Sequence, residues 1–303
     1  MTRRVFLVWL NWPEKCFRCD AEALRALRTL VPAGSDVRRV TGERAFLREL
    51  PEATHVLTWH FRRDWFAKAP RLRLLATPAA GRELVAQEGP RGVTVHFGGF
   101  HGPIIAESVV GYMLARSRGF FLPEIAGRTA PGAEPWPRTA IGGKCRLLAG
   151  TQAVIAGYGR IGRAIGEKLA AFGVAVTGIT RRNLEALPAA AAKADWFILA
   201  LPSDTGTDGF LSSALIRRLP RRCVVINVGR GNAVDEAALA RALKSGRLAG
   251  AYLDVLRHEP PDASGVEGEL LRLATVMPHA SAFAPEYLPY FFNELKQEGL
   301  MEL

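Results

Sequence analysis

Short apolar runs alternate with helix-like segments along most of the chain, and this alternation constrains the fold more than any other feature. The runs typical of buried strands are residues 5–10, 37–41, 55–59, 72–76, 94–97, 153–156, 174–179, 196–201, 224–228, 251–254 and 275–277. The segments with helical spacing between them are residues 20–31, 160–172, 212–218 and 235–245. Because parallel strands need long crossover connections, the pattern predicts an α/β fold whose parallel sheets carry helices on both faces.

The alternation is interrupted in the middle of the chain, which indicates two domains. After Gly98 and Gly99 the sequence predicts a long apolar helix, from residue 104 to about 116, that connects them. A segment rich in proline and glycine follows at residues 127–143 and is typical of a surface excursion. A C-terminal helical segment is predicted to return to the first domain. We expect two doubly wound parallel-sheet domains, one formed by residues 1–101 and 284–303, the other by residues 102–283.

The composition is that of a soluble globular protein with an excess of positive charge. Hydrophobic residues make up 49% of the chain and charged residues 23%, and no apolar run approaches the roughly 20 residues that cross a bilayer. The apolar start after Arg4 is too short for a signal peptide and lacks a small-residue cleavage site, so we expect a cytoplasmic protein without membrane contact. The net charge of +11 is spread over scattered arginines, and nucleic acid is therefore not an expected partner.

The cysteines give no indication of a metal site. Cys16 and Cys19 have the spacing of a redox pair or of half a zinc site, but no second pair follows them. No other His, Cys or Asp cluster has the spacing of metal ligands. We expect reduced, incidental thiols and no metal.

The motif GYGRIG directly follows an apolar strand and directly opens a helix. In this context Gly157 permits the tight turn, Gly159 lets the backbone approach a pyrophosphate, and Gly162 allows close packing of helix on strand. The amino terminus of the helix then holds the anion with free N–H groups and its dipole. The alternative for such a motif is an ordinary glycine turn, but the flanking strand and helix favour a dinucleotide site. The residues predicted to line it are Gly157, Gly159, Arg160, Ile161 and Gly162.

The next strand ends where an adenosine ribose is expected. An NAD site normally presents Asp or Glu there to bind the 2′-hydroxyl, whereas this chain presents Thr180, Arg181 and Arg182. No acidic residue is expected near this position, and two guanidinium groups can hold a 2′-phosphate by bidentate contacts. The alternative is a pair of solvated arginines. The sequence favours NADPH, with NADH as the second choice of cofactor.

Three further loops should emerge at the carboxyl ends of strands, where ligands bind in an open α/β sheet. They contain the residue types that hydride transfer to a carbonyl requires: Arg230 can polarise the carbonyl, His279 titrates near neutral pH, and Glu259 can orient an imidazole. Taken singly, each is also typical of a surface or turn residue. The loops are NVGRG at residues 227–231, LDVLRHEP at 253–260 and MPHAS at 277–281.

A set of motifs in a fixed order carries a family resemblance: GYGRIG, LPSDTGT, NVGRG, LDVLRHEP and MPHAS. In these motifs the chain resembles the D-isomer-specific 2-hydroxyacid dehydrogenase family, which includes glyoxylate/hydroxypyruvate reductases. The resemblance is strong from about residue 147 to 279 and weaker before residue 100. It implies a Rossmann dinucleotide-binding domain, residues 102–283, inserted into a flavodoxin-like substrate domain. It also implies hydride transfer from NADPH to a small 2-oxo acid, such as glyoxylate or hydroxypyruvate, to give a D-2-hydroxy acid.

The resemblance also implies roles for individual residues. Arg230 would hold the substrate carboxylate and carbonyl oxygen, His279 would donate the proton to that oxygen, and Glu259 would orient His279 and favour its protonated form. In the oxidative direction His279 would act as the base. The residues that would line the cofactor are Leu201, Pro202, Thr207, Asn227, Val228, Gly229 and Asp254, the last one at the nicotinamide carboxamide.

In the first domain, the segment TPAAG at residues 77–81 stands where the family has a small-residue loop. The resemblance implies that backbone N–H groups of Ala80 and Gly81 bind the substrate carboxylate, although Ala-Ala-Gly replaces the usual Gly-Ala-Gly. His101 either faces the substrate or simply enters the following helix.

The family resemblance further suggests a homodimer assembled through the nucleotide domains, with Trp136 either at the dimer contact or anchoring its own loop. Two rival functions stay open at this point. One is a formate- or phosphite-type dehydrogenase on the same scaffold. The other is a nucleotide-sensing regulatory protein, which would have no need of the complete Arg/Glu/His set.

Overall fold

The computed structural model describes residues 3–126 and 132–303, so that the first part of the proline- and glycine-rich segment, residues 127–131, lies outside the described residues. Internal contacts divide the chain into two compact units. Unit 1 comprises Met1–His101 and Phe283–Leu303, and unit 2 comprises Gly102–Ala282.

Unit 1 is built around one parallel sheet. Its strands are β1 (Val5–Trp9), β2 (Asp36–Arg39), β3 (His55–Thr58), β4 (Leu74–Thr77) and β5 (Thr94–Phe97), and its α-helices are α1 (Ala21–Leu30), α2 (Glu43–Glu49) and, near the C terminus, α11 (Tyr287–Gln297). The strand order is β2-β1-β3-β4-β5, and every neighbouring pair is parallel. This is the 2-1-3-4-5 order of flavodoxin-like folds, as predicted. Short 3-10 helices lie at Lys15–Phe17, Leu50–Glu52, Arg63–Lys68 and Leu300–Glu302.

The middle strands of unit 1 are buried on both faces, as their continuous apolar sequence predicts. Every residue of β3 and β4 is buried. On one face, Phe46, Phe61 and Trp65 form the centre of an aromatic core. Asp20 caps helix α1: its carboxylate accepts hydrogen bonds from two backbone N–H groups of the first turn, as its position in the sequence predicts.

Unit 2 contains the second parallel sheet. Its strands are β6 (Gln152–Ala156), β7 (Ala175–Ile179), β8 (Trp196–Leu199), β9 (Val224–Asn227), β10 (Gly250–Leu253) and β11 (Thr275–Val276). Its helices are α3 (Gly102–Ser117), α4 (Pro123–Ala126), α5 (Arg138–Gly142), α6 (Arg160–Ala171), α7 (Leu187–Ala191), α8 (Ser213–Arg218), α9 (Glu236–Lys244) and α10 (Val266–Leu273), with 3-10 helices at Arg181–Ala186 and Gly231–Ala233. Helix α3 packs against α6.

The strand order of unit 2 is β11-β10-β9-β8-β6-β7, with all pairs parallel. Numbered along the chain from β6 as strand 1, this is the order 2-1-3-4-5-6 of a doubly wound sheet, and in the described part of unit 2 the strand β7 is one edge. The sequence order reverses at β6, which lies between β7 and β8. Ligands of open α/β sheets bind at the carboxyl ends of strands beside such a reversal. The predicted fold class is therefore confirmed for both sheets.

The predicted strands and helices are present with boundaries shifted by a few residues, but five short α-helices were not predicted, namely α2, α4, α5, α7 and α10. A glycine precedes both α2 and α10 at the capping position, Gly42 and Gly265, and it offers no side chain to cap the helix. They are also short, so that neither a capping residue nor several turns of apolar spacing marks them.

Among the described residues, no helix has the length and apolar character of a membrane span. The same residues contain no group of three or more His, Cys, Asp or Glu side chains that could hold a metal ion.

Candidate nucleotide and catalytic site

The glycine turn after β6 has the geometry that a dinucleotide site needs. Gly157 has a φ of 89°, and a Cβ atom there would lie 2.5 Å from the carbonyl oxygen of Ala200. A Cβ atom on Gly162 would lie 2.4 Å from the carbonyl oxygen of Gly157. No larger residue fits at either position, because both contacts are with backbone atoms.

The amino terminus of α6 is open to a ligand. Gly159 caps the helix without a side-chain hydrogen bond, and a Cβ atom there would meet nothing within 4 Å. The first-turn N–H groups of Ile161 and Gly162 have no intrahelical acceptor by helix geometry. A pyrophosphate can bind here, because there is space beside Gly159 and the free N–H groups point into that space.

The middle residue of the motif, Tyr158, has a structural role that the sequence did not indicate. Its ring lies over Gly178 in β7, where a Cβ atom would approach the ring to 2.3 Å, and its hydroxyl lies 2.6 Å from the Cβ position of Gly166 in α6. Two glycines outside the motif therefore make room for this ring, which holds the turn against strand and helix.

A capping box forms the corner after β7. The side chain of Thr180 accepts a hydrogen bond from the N–H group of Arg182, and Oδ1 of Asn183 accepts one from the N–H group of Thr180 at 2.7 Å. These bonds fix the backbone from which both arginines extend. Both arginine side chains are exposed.

The expectation that no acidic group lies near this corner is wrong. Asp204, in the loop after β8, accepts a hydrogen bond from Nη2 of Arg181 at 2.6 Å. The two residues meet because β7 and β8 are the two neighbours of β6. Arg182 forms no ion pair with any described residue.

The LPSDTGT loop is held together by Thr207. Its buried hydroxyl donates to the carbonyl oxygen of Pro202 at 2.7 Å and accepts from the N–H group of Asp204 at 3.0 Å. Leu201 packs against Gly229, where a Cβ atom would lie 2.5 Å from the Leu201 carbonyl oxygen. The structure thus brings two of the predicted cofactor-lining loops into contact.

The loop after β9 presents Arg230. Buried Asn227 accepts a hydrogen bond from the N–H group of Gly229 at 3.1 Å and donates to the carbonyl oxygen of Arg230 at 3.1 Å, while neighbouring Val228 is buried. A Cβ atom on Gly231 would lie 2.0 Å from the carbonyl oxygen of Leu256. This glycine lets the Arg230 loop lie directly against the loop that carries Glu259.

Glu259 and His279 form the predicted pair. Nδ1 of His279 donates to Oε2 of Glu259 at 2.7 Å, and Oε1 of Glu259 accepts the N–H group of Leu256 at 3.0 Å. Both oxygens of the carboxylate are therefore engaged, which fixes its plane. Because Nδ1 faces the carboxylate, Nε2 is the ring nitrogen left to meet a substrate.

Local charges favour the protonated imidazole. The hydrogen bond to Glu259 raises the pKa of His279 above its ordinary value, and partial burial and the charge of Arg230 only partly oppose this. Burial alone would raise the pKa of Glu259, but the hydrogen bond and charge of His279, together with Arg230, leave that pKa lowered. Arg230, Glu259 and His279 thus lie close enough together to act on one another's charge.

The His279 loop has a strained backbone that Asp254 stabilises. His279 has a φ of 54°, which is uncommon for a residue with a side chain. Oδ1 of buried Asp254 accepts hydrogen bonds from the N–H groups of Ala280 at 2.9 Å and Ser281 at 2.8 Å. The backbone carbonyl oxygen of Asp254 accepts a hydrogen bond from the N–H group of His279 at 2.9 Å. Burial raises the pKa of Asp254. One oxygen of the residue predicted to face the nicotinamide therefore holds the loop of the imidazole.

The small-residue loop lies in unit 1, after β4. Gly98 supports it closely, since a Cβ atom there would lie 2.4 Å from the carbonyl oxygen of Pro78. The N–H groups of Ala80 and Gly81 have no acceptor among the described residues, so they can bind an anion. Sequence reasoning missed Tyr287 of α11, whose hydroxyl donates to the Pro78 oxygen at 3.4 Å.

His101 belongs to this support. It is buried, and its Nε2 shares a hydrogen bond of 2.9 Å with the hydroxyl of Tyr287. Phe100 stacks on its ring with 4.2 Å between centroids. His101 therefore packs beneath the small-residue loop, in an aromatic cluster that spacing in the sequence could not reveal.

A polar cavity of about 610 Å³ opens beside the same loop in unit 1. Its lining includes His60 and three arginines, of which Arg82 lies over the ring of Phe97 at 5.3 Å and Arg62 pairs with Asp64 at 2.9 Å. Glu83 and Glu88 also line this cavity, and Arg62 and Arg63 are exposed.

The chain is similar in sequence to known oxidoreductases. A family model described as "D-isomer specific 2-hydroxyacid dehydrogenase, NAD binding domain" matches residues 110–281, more than half of the 303 residues. The chain is 28% identical over 242 residues to the glycerate dehydrogenase of Methylorubrum extorquens, and the match covers 77% of each chain. It is 30% identical over 207 residues to the glyoxylate reductase of Thermofilum pendens, covering 63% of this chain and 60% of that protein, less than two thirds of its length.

The fold is also similar to solved structures. A D-isomer specific 2-hydroxyacid dehydrogenase from Xanthobacter autotrophicus Py2, solved in complex with NADPH and MES, superposes with a TM-score of 0.71 at 26% identity. The superposition covers 97% of this chain and 96% of that one. The likeness therefore extends over nearly the whole of both chains.

Proposed function

Because the chain belongs to the D-isomer specific 2-hydroxyacid dehydrogenase family of oxidoreductases, we propose that it reduces a small 2-oxo acid to a D-2-hydroxy acid with NADPH. The observation that carries the proposal is the hydrogen-bonded pair of His279 and Glu259 beside Arg230, in the same unit as the glycine turn. Candidate substrates are glyoxylate and hydroxypyruvate. Similarity to a glycerate dehydrogenase and a glyoxylate reductase supports this choice.

Arg230 binds and polarises the substrate. Its guanidinium is half-buried and is anchored by a hydrogen bond from Nη1 to the carbonyl oxygen of Gly229 at 3.0 Å. A second edge of the fork is then available for the carboxylate and the 2-oxo oxygen, where its charge stabilises the negative charge that develops during reduction. A second part of the proposal is that the backbone N–H groups of Ala80 and Gly81 bind the substrate carboxylate.

His279 supplies the proton. When bound, the reduced nicotinamide supplies the hydride to C2 of the 2-oxo acid. Nε2 of His279 donates its proton to the carbonyl oxygen, which becomes the hydroxyl of the product, and the imidazole is left neutral. The raised pKa of His279 keeps the proton in place at neutral pH. Glu259 touches no reacting atom in this scheme and acts by orienting and charging the imidazole.

The preference for NADPH depends on the corner after β7. No carboxylate follows the strand directly, and Arg182 is free among the described residues to meet a 2′-phosphate. A relative of the same family was solved with NADPH, which supports the assignment by similarity. NADH is expected to serve less well, since it offers these arginines no phosphate.

One experiment tests the proposal directly. The purified protein is offered glyoxylate, hydroxypyruvate, pyruvate and phenylpyruvate with NADPH and with NADH, and cofactor oxidation is followed by the loss of absorbance at about 340 nm. Oxidation of NADPH with at least one of these acids, faster than with NADH, is the expected result. Binding of both cofactors without turnover of any acid would contradict the proposal and favour a nucleotide-sensing protein.

A homodimer is a further part of the proposal. Several large apolar side chains of unit 2 are exposed in the single chain, and Trp136 is 72% exposed. Such residues are typical of protein contacts when they cluster. Light scattering at micromolar concentration should give the mass of a dimer of the 33.0 kDa chain. The cytoplasmic location stays a prediction.

A further inference from the structure

We propose that Asp204 is a cofactor-selectivity residue whose carboxylate occupies Arg181 in the free protein and so weakens binding of the 2′-phosphate of NADPH. The inference rests on the proposed function, because it takes the corner formed by Arg181 and Arg182 as the 2′-phosphate site.

Asp204 is held in place by its own loop. Its Oδ1 accepts the N–H group of Gly206 at 2.8 Å, and its backbone N–H and C=O groups are both bonded to the hydroxyl of Thr207, at 3.0 and 2.9 Å. Only Oδ2 points away from the loop, and it meets Nη2 of Arg181 at 2.6 Å. The side chain of Asp204 is 34% exposed. The carboxylate is therefore the fixed partner of this pair.

Arg181 is the mobile partner. Its side chain is 84% exposed, and among the described residues its guanidinium contacts only Asp204. Its backbone is fixed by the Thr180 cap, so that the guanidinium can turn without moving the corner. A long, exposed arginine on a fixed backbone can exchange one anionic partner for another at little structural cost.

A carboxylate and a phosphate compete for the same donors. Oδ2 of Asp204 already accepts a hydrogen bond from Nη2 of Arg181, so a phosphate that binds the paired N–H groups of that edge has to displace this bond. A dianionic phosphate attracts the arginine more strongly, but it must displace Asp204 and lie near its negative charge. NADH carries no 2′-phosphate and meets no such competition. Asp204 therefore narrows the difference in affinity between the two cofactors.

The ion pair of Asp204 with Arg181 is exposed, and exposed ion pairs are weak and screened by salt. Asp204 can therefore change the affinity for the 2′-phosphate only modestly. Removing the charge of Asp204 is expected to tighten binding of the 2′-phosphate by about threefold to tenfold. Binding of a ligand without that phosphate is expected to change by less than about twofold.

The experiment measures binding of two adenosine fragments by calorimetry, 2′,5′-ADP and 5′-AMP, in wild type and in Asp204→Asn. Asparagine keeps the size of the side chain and an oxygen for the N–H group of Gly206. The expected result is tighter 2′,5′-ADP binding and unchanged 5′-AMP binding, with the gain reduced at about 0.5 M salt because exposed charges are then screened. Asp204→Ser, which also offers an oxygen to the turn, should give the same gain.

Asp208→Asn is the matched control. Asp208 follows closely in the chain but pairs with Arg257 at 3.2 Å instead of with the corner after β7. Its loss should leave the affinities for both fragments within about twofold of wild type. An equal gain in this variant would mean that net charge alone acts, and would overturn the role of Asp204.

Arg181→Ala separates the inference from the proposed function. The competition for Arg181 predicts that Arg181→Ala weakens binding of 2′,5′-ADP but not of 5′-AMP. It also predicts that adding Asp204→Asn to the Arg181→Ala protein tightens 2′,5′-ADP binding by less than about twofold, which completes a double-mutant cycle. If Arg181→Ala weakens 2′,5′-ADP while neither Asp204 variant tightens it, the inference alone is overturned. If neither Arg181→Ala nor Arg182→Ala affects 2′,5′-ADP, the 2′-phosphate site itself is wrong.

Discussion

Replacing Glu259 by glutamine should lower the rate of reduction and move its dependence on pH. Glutamine keeps the size of the side chain and an oxygen for Nδ1 of His279, but removes the negative charge. That charge and its hydrogen bond hold the pKa of His279 above its ordinary value. In the variant, the imidazole loses its proton at lower pH. Because reduction needs the protonated form, the fall of activity on the alkaline side should begin at lower pH than in wild type.

The size of the effect follows from the exposure of the pair. A hydrogen bond between charged groups contributes about 1.5–3 kcal/mol when it is protected from water. The side chains of His279 and Glu259 are 55% and 37% exposed, and solvent screening reduces the value to about 1–2 kcal/mol. Since about 1.36 kcal/mol corresponds to a factor of ten in rate, kcat/KM near neutral pH should fall about 5- to 30-fold.

The assay is the pH profile of kcat/KM for reduction of the best 2-oxo acid at saturating NADPH. Glu267→Gln is the matched control, because Glu267 forms an equivalent pair with Nδ1 of His258 at 2.6 Å in the same unit. That control should keep the profile of wild type. If the rate of Glu259→Gln falls on the alkaline side at the same pH as that of wild type, the role assigned to the carboxylate is refuted, however much kcat/KM itself has decreased.

Two further predictions concern unit 1. Tyr287→Phe removes the hydroxyl that is hydrogen-bonded to Pro78 and His101. KM for the 2-oxo acid should therefore rise about three- to tenfold while the Kd of NADPH stays constant. An unchanged KM would show that this hydroxyl does not position the small-residue loop. Buried His55 lies near the charges of Arg4 and Arg73, and burial lowers its pKa to about 4. As the pH drops, His55 is therefore protonated in the unfolded chain before it is protonated in the folded protein. The free energy of unfolding should fall by about 3 kcal/mol between about pH 6.5 and 4. Urea unfolding at several pH values should show this loss of unfolding free energy in wild type and much less of it in His55→Leu. An equal dependence of the unfolding free energy on pH in the two proteins would contradict the prediction.

Local sequence patterns predicted the sheets because buried parallel strands are continuous apolar runs with a short length. The runs at β3, β4 and β8 are buried throughout, so each one is recognisable without knowledge of its neighbours. The glycine turn was equally local, since Gly157 and Gly162 are required by contacts within one strand–turn–helix unit. Helices α2 and α10 lacked these local marks, and they were missed for that reason.

The parts of the site that escaped prediction depend on strand order. Asp204 lies 23 residues beyond Arg181 and meets it only because β7 and β8 flank the same strand. Tyr287 lies 209 residues from Pro78. By contrast, Arg230, Glu259 and His279 could be named from residue type and motif, because each follows a recognisable strand. Their convergence required Gly231, which allows two loops to touch.

In the mechanism proposed above, the imidazole of His279 donates the proton during hydride transfer. The most direct measurement is kcat for 2-oxo acid reduction by His279→Ala, together with the Kd of NADPH for the same protein. We expect kcat to fall about 100-fold or more and the Kd to stay within about twofold of wild type, because general acid catalysis contributes at least that factor to the rate. Turnover within about twofold of wild type would contradict it.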